Sequence, residues 1–162
     1  MRHSRKTVWD RVFETVAASK PGSWFALNVA NPIDKRLLPA TKGRISLSIG
    51  QPVLCLEVPG AKSGIIRRTP VLFFDVDGAL VLVASATGVA KHPAWYHNTL
   101  AAGRVKVYAP GGRTGWYKAH QAHGDERDRY WEAARDRYAG FDVYEQRTTG
   151  IREIPVVVLT RD

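Results

Sequence analysis

The sequence has one cysteine, one methionine and no long hydrophobic run. A lone cysteine cannot form an internal disulfide, and Cys55 lies in the apolar run VLCLEV, which favours a small buried thiol over a nucleophile. No stretch approaches the roughly 18 consecutive apolar residues that a membrane-spanning helix needs. No signal-peptide pattern follows the basic N-terminus, so we expect a cytoplasmic protein.

Acidic residues are also scarce, with 15 Asp and Glu against 24 Lys and Arg and a net charge of +9. This balance favours an anionic partner. The positive charge is spread along the chain, and zinc-finger spacing, a ribonucleoprotein signature and a recognition-helix pattern are all missing, so we do not expect nucleic-acid binding. The histidines lack metal-ligand spacing, and no G-x-S-x-G motif indicates a serine hydrolase.

At 162 residues the chain has the length of one globular unit. Apolar residues on one face predict an amphipathic helix at Ser4 to Ser19, followed by an irregular connection with at most a turn of helix at Asp34 to Leu38. We therefore divide the chain into residues 1–43, holding this helix and connection, and a domain at 44–162. The predicted strands are Arg44 to Ile49, Val53 to Val58, Thr69 to Val76, Ala79 to Ser85, Arg104 to Tyr108, Arg113 to His123 and Ile154 to Thr160.

Local signals define the connections between these strands. Asp77-Gly78 predicts a two-residue hairpin, because both central positions of the favoured turn need positive φ. Pro93 and Gly103 are typical of the beginning and end of a helix at Pro93 to Ala102, and a second helix is predicted at Asp125 to Tyr138. Many short strands and few helices predict a mainly β (α+β) fold, a small antiparallel barrel flanked by helices.

The stretch GAKSGIIRRTP, residues 60–70, could bind an anion. Its glycines allow backbone N–H groups to converge, and Lys62, Ser63 and Arg67 add positive charge and hydrogen-bond donors. The order of a Walker loop is absent, and a strand follows instead of a helix. The alternative is a polar hairpin loop with solvated basic side chains.

Two further stretches could form a site. SATG, residues 85–88, follows a strand and could line the edge of a flat ligand, or it could simply cap a turn. It leads into KHPAWYHN, residues 91–98, which is either a ligand wall or an ordinary helix start. In RYAGFDVYEQRT, Tyr138, Phe141 and Tyr144 recur at three-residue steps and could wall a pocket for a planar substrate or form a satellite core.

Taken together, the order GxKSGxxRxTP, hairpin, VLVASxTG, KHPAWYHN, RYxGFxxYxxRT and REIPVVVLT resembles the F420 (deazaflavin)-dependent nitroreductase family, the group similar to mycobacterial deazaflavin-dependent nitroreductase. The resemblance extends from about Val53 to Thr160 and, more weakly, through the N-terminal third of the chain. It implies a split β-barrel that binds coenzyme F420, whose deazaflavin ring carries a phosphate and an oligoglutamate tail. A polyanionic cofactor would explain the net positive charge.

The resemblance also implies which residues bind the cofactor. Those around the phosphate would be Lys62, Ser63, Gly64, Arg67, Thr69 and Pro70. Those lining the deazaflavin ring would be Ser85, Thr87, Gly88, Val89, Ala90, Lys91 and Pro93, with Trp95 and Asn98 bracing this wall. Lys42, Arg44 or Arg68 could meet the glutamate tail.

The reaction implied is hydride transfer from carbon 5 of the reduced deazaflavin to a quinone, an activated alkene or a nitro compound. Tyr138 and Tyr144 match C-terminal tyrosines of the family and, with Ser85, are the candidate catalytic residues. Phe141 stands where the nitroreductase has a tyrosine implicated in protonation, and phenylalanine cannot donate a proton. We therefore expect reduction of quinones or enones and not of bulky nitroimidazoles.

Alternatives to this function remain. The phosphate-binding loop would also suit a flavin mononucleotide (FMN) oxidoreductase, and the same groove could serve a non-catalytic carrier of F420 or of an apolar ligand. The helix at Ser4 to Ser19 could pack on the core or contact an anionic membrane, where a lipid-soluble quinone is accessible. No metal is expected, and the oligomeric state is not predicted.

Overall fold

The computed structural model describes residues 31–48 and 51–162. The helices are α1 (Asn31–Ala40), α2 (Ala94–Ala102), α3 (Gly124–Arg137) and α4 (Gly140–Thr148), with a short 3-10 turn at Ala86–Gly88. The strands are β1 (Val53–Pro59), β2 (Ile66–Val76), β3 (Ala79–Val83), β4 (Arg104–Tyr108), β5 (Gly115–Gln121) and β6 (Val156–Arg161). Among these residues, no helix has the length and apolar character to cross a bilayer.

The strands form a closed antiparallel barrel in the order β1-β2-β3-β6-β5-β4. β4 returns to β1 and closes it through the pairs Cys55 with Tyr108, Leu56 with Val107 and Glu57 with Lys106. The predicted small antiparallel barrel flanked by helices is therefore confirmed. Asp77 and Gly78 join β2 to β3 with φ of 52° and 84°, as the predicted hairpin requires.

The apolar residues divide into an interior and two outer cores, because side chains alternate between the two faces of a strand. The interior is filled by aliphatic residues such as Leu56, Leu82 and Leu159, and α2 adds Trp95 and Leu100. On the outside, α1 covers β1 through Leu38, Val53 and Cys55. The helices α3 and α4 cover β2, β3 and β6 with an aromatic cluster.

The predicted strand at Arg44 to Ile49 is wrong over residues 44–48, which form bends and irregular backbone. The cause is Asp34, which is fully buried on α1. Its carboxylate accepts hydrogen bonds from the Leu47 N–H at 2.8 Å and from the hydroxyls of Ser46 and Ser48 at 2.8 and 3.0 Å. The segment therefore bonds to a side chain instead of a neighbouring strand.

Several predicted boundaries are also wrong. α1 is a full ten-residue helix, where at most one turn was expected. β2 begins at Ile66 and not at Thr69, and β5 is shorter than Arg113 to His123 at both ends. The helix α4 was not predicted, since residues 140–148 were interpreted only as an aromatic tail. The predicted helix at Ser4 to Ser19 lies outside the described residues.

We predict that Asp34→Ala lowers the free energy of unfolding by about 3 kcal/mol, since hydrogen bonds to a charged group contribute about 1.5–3 kcal/mol each and the serines regain only part of this from water. Urea unfolding measures the change. Asp136→Ala removes an exposed carboxylate on α3 and should change stability by less than about 0.5 kcal/mol. Equal losses in the two variants would show that the Asp34 bonds contribute nothing specific.

Candidate functional site

The antiparallel barrel brings three separate loops to one end of the molecule. β1 and β3 run toward this end, and β2 and β6 start from it, because neighbours in the barrel are antiparallel. The loop at residues 60–65, the segment at 84–93 and the segment at 149–155 therefore share it. We call them the rim loops; α2, which follows the second, packs on the barrel interior beside them.

The first rim loop is held in a defined conformation. The Gly60 N–H donates to the Ile65 carbonyl at 2.8 Å, and the Gly64 N–H, at a φ of 67°, donates to the Gly60 carbonyl at 2.8 Å. Asn98 on α2 accepts a hydrogen bond from the Ala61 N–H through Oδ1 at 2.9 Å. α2 is thus tied directly to the loop that carries Lys62 and Ser63, whose side chains are exposed.

The two adjacent arginines of β2 have different surroundings because they lie on opposite faces of the strand. Arg68 is paired with Glu57, with Nε 2.6 Å from Oε2, and this hydrogen bond raises the pKa of Arg68. Among the described residues, no ion pair involves Lys62, Arg67 or Lys91, which are all exposed. The rim loops and the start of β2 therefore offer three exposed cations that have no carboxylate partner among the described residues.

The second rim loop has an unusual backbone. Ala86, Thr87 and Gly88 have φ of 46°, 57° and 80° in succession, a left-handed conformation that costs a non-glycine residue about 1–2 kcal/mol. At Gly88, a Cβ atom would lie 2.9 Å from Arg147 Cδ and 3.2 Å from Tyr144 Cα. Helix α4 therefore packs directly against this turn. Strained backbone of this kind concentrates at ligand sites.

Arg152, in the third rim loop, binds the second one. Its Nε donates to the Val89 carbonyl at 3.0 Å, its Nη1 to the Ala84 carbonyl at 3.3 Å and its Nη2 to the Ser85 carbonyl at 2.7 Å. Nη1 also lies 3.1 Å from Nδ1 of His92. Burial, then the nearby Arg152 and His97, lower the pKa of His92, so its imidazole is neutral at pH 7 and can accept this bond.

The predicted substrate-pocket residues lie in the aromatic core. Tyr138, Phe141 and Tyr144 are only 5%, 2% and 6% exposed, and the two tyrosine hydroxyls are 3.3 Å apart. Phe141 packs edge-on against Phe74 with ring centroids 5.7 Å apart. This arrangement matches a satellite core, and a direct catalytic role for these residues stays a prediction.

The other predicted site residues occupy the same end of the barrel. Thr69, two residues after Arg67, lies on the same face of β2 and is partly buried, whereas Pro70 is buried opposite Cys55. Val89 and Ala90 are exposed, and Trp95 is partly buried against the barrel interior. Two more residues define α2: Pro93 precedes its first residue, and Gly103 ends it in the left-handed conformation at φ of 65°.

These features fit a planar, polyanionic cofactor. The three exposed cations, which pair with no carboxylate in residues 31–48 and 51–162, suit phosphate and carboxylate groups. The backbone N–H groups of Ala90 and Lys91, which donate to no acceptor in the described part of the chain, are available at the edge of a ring. The left-handed turn before them would set the orientation of such a ring.

Comparison with known proteins identifies the family. A family model described as F420H(2)-dependent quinone reductase matches residues 34–161. The chain belongs to this family. An F420H(2)-dependent quinone reductase of Mycobacterium tuberculosis (strain ATCC 25618 / H37Rv) is 36% identical over 125 residues, which cover 75% of this chain and 83% of the relative.

Solved structures agree with this assignment. One described as an F420-H2 dependent reductase (FDR-A) superposes with a TM-score of 0.58 at 32% identity, covering 67% of this chain and 93% of the other. A second, described as a domain-swapped dimer, has a TM-score of 0.60 at 26% identity and covers 86% of this chain and 99% of the other.

The predicted resemblance is thus confirmed. The protein is an oxidoreductase that uses coenzyme F420. The family assignment does not favour an FMN enzyme or a non-catalytic carrier. The contact of Arg152 with the second rim loop could not be predicted from the sequence. No local pattern distinguishes a loop arginine that binds the backbone from one whose side chain is in water.

Cys55 lies away from the rim loops, and burial raises the pKa of its thiol to about 12. Because only the thiolate reacts, we predict that a disulfide reagent at about pH 8 leaves Cys55 unmodified in the folded protein and modifies it fully in guanidinium. Thiol titration by absorbance checks this. Rapid reaction of the folded protein would mean that the thiol is accessible and ionised.

Proposed function

We propose that this chain transfers a hydride from reduced F420 to a quinone at the end of the barrel formed by the rim loops. The observation that supports this most directly is the placement of three exposed cations, Lys62, Arg67 and Lys91, at the end that carries the left-handed turn. None of them pairs with a carboxylate of the described residues. A charged tail and a planar ring would each find a suitable surface there.

In this proposal the first rim loop and the start of β2 bind the anionic part of the cofactor. Lys62 and Arg67 supply charge, and Arg can bind two phosphate oxygens at once through its planar guanidinium. The remaining residues of this group contribute hydroxyls, backbone N–H groups or shape: Ser63, Gly64, Thr69 and Pro70. Arg68 is not part of it, because Glu57 already neutralises its charge.

The second rim loop and the start of α2 would orient the deazaflavin ring. The contacts are proposed from Ser85, Thr87, Gly88, Val89, Ala90, Lys91 and Pro93, with Trp95 and Asn98 behind them. When bound in its reduced form, the cofactor supplies a hydride from carbon 5. The protein must then fix the angle of approach of the acceptor and limit the access of water.

Ser85 is the candidate hydroxyl that reaches the surface. It is partly exposed beside the turn, whereas Tyr138 and Tyr144 are buried. We therefore propose that Ser85 hydrogen-bonds the acceptor oxygen as the hydride arrives, and that solvent provides the proton that completes the hydroquinone. Since Phe141 has no hydroxyl, we do not propose nitroimidazoles as substrates. The described residues and the relatives give no support for membrane contact.

We predict that Lys62→Ala and Arg67→Ala each weaken F420 binding about tenfold, equal to about 1.4 kcal/mol, and that added salt reduces the affinity of the wild type. Arg68→Ala is the matched control, since it removes the same charge from the neighbouring residue and should change affinity less than about twofold. Fluorescence titration with F420 measures all three. Equal weakening in the three variants would indicate a general charge effect and no specific site.

We also predict that the protein oxidises reduced F420 with menadione and does so only slowly with a nitroimidazole. The recovery of F420 absorbance measures both rates. Ser85→Ala should lower kcat about tenfold with less change in F420 affinity, because it removes one hydrogen bond to the reacting acceptor. Tight F420 binding without any turnover would restore the carrier hypothesis. Equal rates with both acceptors would contradict the role given to Phe141.

A further inference from the structure

Arg152 lies between α4 and β6, and its side chain is only partly exposed. Each of its hydrogen-bond partners in the second rim loop is 60 to 68 residues away along the chain. An arginine that serves only for solubility keeps its guanidinium in water. This one uses all three of its nitrogens on a single segment.

The partners of Arg152 lie on both sides of the left-handed turn. Ala84 and Ser85 precede the turn, and Val89 and His92 follow it. Three of the four acceptors are backbone carbonyls, so the contact fixes the path of the chain and does not depend on which side chains the segment carries. The guanidinium therefore joins the entry and the exit of the turn.

The contact with Arg152 stabilises a turn whose backbone conformation is unfavourable. Ala86 and Thr87 occupy a backbone conformation that L residues rarely adopt, and such conformations persist only where surrounding contacts maintain them. α4 supports one part of the turn by packing against Gly88. Arg152 supplies charge-assisted hydrogen bonds to the residues at the two ends of the turn.

We propose that Arg152 is a positioning residue that holds residues 84–92 in the conformation that receives the deazaflavin ring before the cofactor binds. The role of that segment at the ring rests on the proposed function. Preorganisation removes the cost of ordering the loop at the moment of binding, so its loss lowers affinity more than it lowers the rate of the bound complex.

A second role for Arg152 would be simple attraction of the anionic cofactor. Lysine separates the two, because it keeps the positive charge but has a single compact ammonium that cannot reach several carbonyls in a fixed fork. Arg152→Lys should therefore behave like Arg152→Ala if geometry matters, and like the wild type if charge alone matters.

The test compares the wild type, Arg152→Lys and Arg152→Ala by hydrogen exchange of a peptide covering residues 84–92 without cofactor, and by F420 titration. We expect exchange to rise about tenfold in both variants, with barrel peptides unchanged, and F420 affinity to fall about tenfold. At saturating F420, kcat with menadione should stay within about threefold of the wild type.

Arg161→Ala is the matched control. Arg161 also donates from Nη1 to a loop carbonyl, that of Gly112 at 3.2 Å, but this loop lies between β4 and β5 at the other end of the barrel. Arg161→Ala should leave both the hydrogen exchange of residues 84–92 and the affinity for F420 unchanged.

Two outcomes overturn the proposal: wild-type behaviour of Arg152→Lys, or unchanged exchange at 84–92 in both variants. If Arg152→Ala fails to fold, Arg152→Lys decides alone. If the wild type itself does not bind F420, the proposed function fails, while the exchange measurement still decides whether Arg152 holds the segment.

Discussion

The pairing of β1 with β4 closes the barrel, and the arrangement of the candidate site depends on that closure. Only three residue pairs make this connection, yet with it β1 has a neighbour on each side. In a closed antiparallel barrel the ends of alternate strands must meet at one rim. Loops distant in sequence are therefore brought together without a dedicated binding domain, and α2 has one interior to pack against.

Local pairing decides which positive charges are available for a ligand. The net charge of +9 says only that cations are in excess. Glu57, Asp75 and Asp162 each form an ion pair with an arginine: Arg68, Arg113 and Arg104, respectively. The contrast between Arg67 and Arg68 arises from the two-residue alternation of a strand. This alternation directs Arg68 to Glu57 and leaves Arg67 without a carboxylate partner in the part of the chain that the structure describes.

The features that could be predicted from the sequence are those encoded by neighbouring residues. Asp77-Gly78 determines a turn through the φ angles it allows, and Gly103 ends α2 in the same way. The family motifs identified the family correctly, and the residues that they assign to the cofactor stay a prediction. By contrast, Asp34 changes residues 44–48 from a strand to an irregular segment through tertiary hydrogen bonds, which no local pattern reveals.

The contact between Arg152 and the second rim loop affects the order in which parts of the protein can fold during synthesis. Residues 84–92 leave the ribosome long before Arg152, which binds them. In the same way, β3 is synthesised well before its partner β6, as in the pair Leu80 with Leu159. Pairings this distant in sequence make folding slow. During synthesis, the early strands must therefore exist with an open edge and an unsupported loop. The surface proposed to bind the ring is therefore complete only when β6 is in place.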